Sequence, residues 1–117
     1  QLGGFYDLPH GVCNAILLPH VERFNLIADP QRLVDIAEAM GENTEGLSTR
    51  AAADKAIDAI VQLSKDIRIP QKLRDLEGVK KEDFEVLAEN ALADACALTN
   101  PRKGTKEDVI GIFDAAF

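Results

Sequence analysis

The stretch Asp29-Pro30-Gln31-Arg32-Leu33-Val34-Asp35-Ile36-Ala37-Glu38-Ala39-Met40-Gly41 decides the fold class. Asp29 can accept from the free N–H groups at a helix start, Pro30 suits the first helical position, and Gly41 follows the last periodic residue. Between these signals Leu33, Ile36, Ala37 and Met40 recur at helical spacing and define the expected buried face. The same period continues in both directions. Upstream, a helix over about 10 to 26 is apolar at Val12, Ile16, Leu17 and Val21, and Pro19 is expected to bend it by removing a backbone hydrogen bond. Downstream, a polar loop leads to Ser48 or Thr49 as a cap. A helix over about 49 to 67 follows, striped by Ala53, Ala56, Ile57, Ile60, Val61 and Ile67.

Pro70 to Leu76 reads as one short helical turn. A fourth helix over about 81 to 97 is expected to turn Phe84, Leu87, Ala88, Ala91, Leu92 and Ala95 inward. Asn100 to Gly104 breaks the pattern. Thr105, with Asp108 three residues on, then resembles a capping box for a helix over about 106 to 116 that buries Val109, Ile112, Phe113 and Ala116. No alternating strand pattern and no Asn-Gly hairpin occurs. The expected architecture is therefore all-α, a compact domain of about five helices spanning residues 1–117.

Composition agrees. Apolar residues make up 46% of the chain but aromatics only 5%, with no Trp, so the core must be built from Ala, Leu, Ile and Val. The net charge of −7 repels phosphate backbones and anionic lipid heads, which argues against nucleic acid and membrane as partners. No apolar run approaches the roughly 20 residues needed to cross a bilayer, and no leader pattern is present, so cytoplasm is the expected compartment. Cys13 and Cys96 match no metal or redox spacing and read as free thiols. G-x-G-x-x-G, Walker and nucleophile-elbow motifs are absent.

Candidate chemistry concentrates near the start, in Gly3-Gly4-Phe5-Tyr6-Asp7-Leu8-Pro9-His10-Gly11-Val12-Cys13 and the following Asn14-Ala15-Ile16-Leu17-Leu18-Pro19-His20. His10 stands at a helix entrance between a proline and a glycine that stiffen and clear the approach to its ring, as a metal ligand requires; the alternative is an ordinary polar residue. His20 lies ten residues on, about 15 Å along one helix, too far to share an ion with His10, and reads as structural or exposed. Cys13 shares a helical face with His10, but a small buried hydrophobe is the preferred reading. Asn100-Pro101-Arg102 is compatible with plain turn chemistry.

These motifs closely resemble the iron-dependent (group III) alcohol dehydrogenases, and the resemblance runs from Gln1-Leu2-Gly3-Gly4-Phe5 through Leu17-Leu18-Pro19-His20 to the ending Ile112-Phe113-Asp114-Ala115-Ala116-Phe117. It implies that His10 is one of three histidines that, with one aspartate, hold Fe²⁺. It also implies that Gly3, Gly4 and Phe5 form a loop wall beside the nicotinamide of NAD or NADP. Asp94-Ala95-Cys96 with Asn100-Pro101-Arg102 resembles the substrate-facing end of lactaldehyde reductase-like members, which implies that Cys96 lines an alcohol pocket; a core cysteine is the equal alternative.

The implied reaction is reversible hydride transfer between a primary alcohol and NAD(P)⁺, with an alcohol or aldehyde as small-molecule partner and a homodimer as the complete assembly. Because the resemblance covers only the last third of such an enzyme, the chain beginning at Gln1 is expected to be a fragment. An N-terminal nucleotide-binding domain and three of the four metal ligands would lie on the rest of the parent chain. No catalytic residue is assigned within it, and the chain alone is expected to be inactive. The competing reading is a free-standing acidic helical module that binds another protein.

Overall fold

A computed structural model describes residues 1–117. It contains helices and turns and no strand, as the periodicity predicts. Six α-helices follow in chain order: α1 Leu2–Tyr6, α2 His10–Asn25, α3 Pro30–Ala39, α4 Thr49–Asp66, α5 Phe84–Ala93 and α6 Lys106–Ala116. Single 3₁₀ turns occupy Leu73–Asp75, Lys81–Asp83 and Ala95–Thr99. No helix is long and apolar enough to cross a membrane.

The capping signals act as read. The Asp29 carboxylate accepts from Arg32 N, with Pro30 in the first turn of α3. At its other end Gly41 takes φ +89°, and Gly41 N and Glu42 N donate to Glu38 O and Ala37 O, the double closure that a left-handed residue permits. Ser48 caps α4 through Ala51 N. Thr105 and Asp108 exchange bonds of 2.9 and 3.2 Å in the anticipated capping box, with Asp in place of Glu. Helix α2 continues through Pro19, which lies inside its span.

Two apolar clusters form, joined by α2. One gathers Leu2, Cys13, Ile16, Leu73, Val79, Phe84, Leu87, Ala88, Phe113 and Ala116. The other gathers Leu26, Leu33, Val34, Ala37, Ala52, Ala53, Ala56 and Ile57 where α3 packs on α4. Four alanines at that seam let the backbones approach closely, and full burial of Ile57 contributes about 1.5 to 3 kcal/mol.

The structure corrects several sequence expectations. Gly3 and Gly4, read as loop, belong to a short helix, α1. A Cβ on Gly3 would stand 3.1 Å from Leu8 O and 3.6 Å from His10 Cα, so glycine there lets the α1–α2 turn close tightly. The helix expected over 81 to 97 breaks at Asp94, whose backbone is extended because its carboxylate bonds Cys96 N, two residues on, at 2.9 Å. Leu92 and Ala95 are consequently exposed. On α3, Val34 rather than Ile36 or Met40 completes the buried face, and Ile67 projects into solvent from the end of α4.

The molecule is elongated, 44 × 31 × 20 Å. It exposes 7132 Å², against roughly 6200 Å² for a compact monomer of this mass. Part of the excess is apolar: Phe5, Leu18, Leu63 and Leu98 are all exposed.

Candidate metal ligand and substrate groove

His10 is the first residue of α2. Pro9 precedes it with φ −58° and ψ 117°, outside the helical region, so the chain turns sharply and presents the imidazole at the helix entrance. The ring is exposed, and Gly11 beside it has open space where a side chain would stand. One turn later Asn14 places its amide Nδ2 2.8 Å from His10 Nε2, within hydrogen-bond reach of the ring. Asn14 carried no signal in the sequence reading. The i, i+4 spacing from a candidate ligand was the clue available.

Cys13 and His20 are not brought to the same place. Cys13 is 3% exposed, packed among Leu2, Ile16 and Phe84, and burial pushes its thiol pKa up, as a small hydrophobe in the core requires. His20 is half-buried on another face of α2. Burial first, then the nearby charges of Lys72 and Arg23, lower its pKa from the ordinary 6.5. No group of three His, Cys, Asp or Glu residues gathers anywhere in the chain. A single exposed imidazole fits the role of one donor to a divalent ion, and one donor does not make a tight site.

An apolar groove of about 380 Å³ lies between α2, α5, the Ala95–Thr99 turn and α6. Leu17, Val21, Leu92, Ile112 and Phe113 form its walls, and Asn14 stands on its rim, so the groove and His10 share that residue. Cys96 also lines it and is exposed. The Asp94 carboxylate, through its hydrogen bond and then its charge, raises the Cys96 pKa.

Asn100-Pro101-Arg102 does more than terminate a helix. Asn100 exchanges amide hydrogen bonds with Asn25, while Arg102 donates to Phe24 O at 3.0 Å and stacks 3.9 Å from the Phe24 ring centroid. The loop is thereby pinned to the last turn of α2 and satisfies one of its free carbonyls.

Gly3, Gly4 and Phe5 lie on α1, next to the His10 turn. Gly4 faces open space and the Phe5 ring is 47% exposed, set edge-on to Tyr6 at 4.9 Å.

A helical domain presenting one imidazole beside an apolar groove is the class of structure defined so far. The family model described as "Fe-containing alcohol dehydrogenase family, C-terminal" matches residues 1–117, so the chain belongs to that family. It is 62% identical over its whole length to 1,3-propanediol dehydrogenase of Citrobacter freundii, and 48% identical over 116 residues, 99% of the chain, to NAD-dependent methanol dehydrogenase of Bacillus methanolicus. The crystal structure of a 1,3-propanediol oxidoreductase superposes with a TM-score of 0.97 at 62% identity over 99% of the chain. In each case the chain spans 30% of the relative's length. The all-helical fold expectation is met, and the whole-length family match disfavours a free-standing interaction module.

Proposed function

We propose that this domain forms the metal- and alcohol-binding side of an iron-dependent alcohol dehydrogenase, which interconverts primary alcohols and aldehydes with NAD(P)(H). The family match over all 117 residues carries the reading, supported by the exposed imidazole of His10 at a helix entrance beside an apolar groove. His10 supplies one nitrogen donor to Fe²⁺, and the remaining donors belong to the parent chain. When bound, the ion supplies Lewis-acid chemistry toward an alcohol oxygen.

The chain's own residues position and exclude. Asn14 shares the Nε2 lone pair of His10, so the amide yields that nitrogen, or turns its Oδ1 to accept from an Nε2–H and leaves Nδ1 free, when the ring ligates. The groove walls at Leu17, Leu92 and Phe113 take the alcohol's carbon chain and keep water from it, with Cys96 setting one limit of its size. Gly3, Gly4 and Phe5 border the nicotinamide, Gly4 by leaving room and Phe5 by offering an aromatic face. NAD is the favoured carrier, since the methanol dehydrogenase relative is NAD-dependent.

The exposed apolar side chains Leu18 and Leu98 are covered by the rest of the parent chain, and the complete protein is a homodimer. A cytoplasmic setting suits its two unpaired cysteines. The test is alcohol-dependent reduction of NAD⁺ or NADP⁺ by the complete, iron-loaded protein, compared with a His10→Ala variant.

A further inference from the structure

A second groove, of about 240 Å³, lies between α2, α4 and the Pro70–Lys72 segment, with Ile16 in its wall. Five of its ten lining residues are polar or charged: His20, Ser64, Lys65, Gln71 and Lys72. No carboxylate is among the ten, although the chain carries 20 acidic residues against 13 basic ones. The cations here are also spare. Every ion pair in the molecule uses other residues: Arg23, Arg32, Arg50, Lys55, Lys81 and Lys106. Lys72 has only a long contact of 3.4 Å with Ala115 O, and Gln71 uses its amide once, toward Ile69 O.

We infer that this groove is an anion site, built for a small oxyanion such as a phosphate group, held between the Lys65 and Lys72 ammonium groups with the Ser64 hydroxyl and the His20 imidazole as further donors. Neither lysine has a carboxylate partner, and an anion seated against both gains charge-assisted hydrogen bonds from each. The positive charge already reaches His20. Lys72 and Arg23 disfavour the imidazolium, and Arg23 and Asp108 are the charged residues that share with His20 the shallow groove on its other side. The site does not depend on His10, on the apolar groove or on any metal.

The chain contains two histidines, which makes the test direct. The full chain is titrated with sodium phosphate at constant ionic strength, and the Cε1–H resonances of His10 and His20 are followed by NMR against pH. The site predicts saturable binding with a rise in the His20 pKa and no change at His10. Lys72→Ala and Lys65→Ala each weaken the affinity by about tenfold or more, the loss expected for one charge-assisted hydrogen bond. Both side chains reach solvent, so these variants keep the fold, and an unchanged amide spectrum verifies it. Three results overturn the inference: no saturation, a His20 pKa that phosphate does not move, or equal affinity in the lysine variants.

Discussion

Asn25 and Asn100, 75 positions apart, exchange two side-chain hydrogen bonds of 3.1 and 2.8 Å, and Asn25 is only 7% exposed. This amide pair locks the loop after the Ala95–Thr99 turn to the end of α2 and so fixes the rim of the apolar groove. Replacing Asn100 by Ala strands a buried amide. The expected loss is about 1 to 3 kcal/mol of stability, measured by urea unfolding. A double-mutant cycle with Asn25→Ala returns a coupling of about 0.5 to 3 kcal/mol; additive losses would show that the pair does not act as a unit.

Arg68 occupies a left-handed conformation, φ +62°, directly after α4, where Arg68 N and Ile69 N close the helix onto Lys65 O and Ser64 O. Glycine adopts this geometry without the Cβ penalty. Arg68→Gly is therefore expected to raise stability by about 1 kcal/mol, read as a higher urea midpoint with unchanged slope. A lowered midpoint contradicts the strain.

The pH dependence of stability carries the signature of His20. Its folded pKa lies below 6.5 because burial, Lys72 and Arg23 all disfavour the imidazolium. Its contribution is thus present above pH 6.5 and is lost as the pH falls through the folded value. From pH 7.5 to 5 the wild-type chain loses more stability than a His20→Gln variant. Parallel curves would show that His20 titrates alike in the folded and unfolded chain.

Cys96 is exposed and lines the groove, so its substitution separates fit from packing. Under the proposed function, Cys96→Ala or Cys96→Leu in the complete protein is expected to change the ratio of kcat/KM between short and long primary alcohols, by about 10-fold to 200-fold where one methylene of fit is at stake. The Tm and the iron content stay put. An unchanged preference removes Cys96 from the substrate groove.

Helix existence was legible in the sequence wherever a cap coincided with periodic apolar residues, as at Asp29-Pro30, Ser48 and Thr105-Asp108. It was not legible where tertiary closeness overrode local propensity. Gly3 argues for a loop on conformational freedom, yet it is helical because the α1–α2 turn needs the space beside Leu8 O. Asp94 sits in a helix-compatible run but diverts its carboxylate to Cys96 N and ends the helix. His10 could be singled out by its flanking residues. Asn14 offered only its i, i+4 spacing from His10, because its role depends on a ring position that coordinates reveal, and the Asn25–Asn100 pair is invisible across 75 residues.

The proposed function stands most directly on His10 as a metal ligand. Iron content and alcohol-dependent NAD(P)H formation, measured on the same preparations of complete wild-type and His10→Ala protein, test it. The proposal predicts that iron and activity fall together while helical content by circular dichroism is unchanged, because the ring is exposed and contributes no core packing. Full iron content in an active His10→Ala enzyme would contradict it.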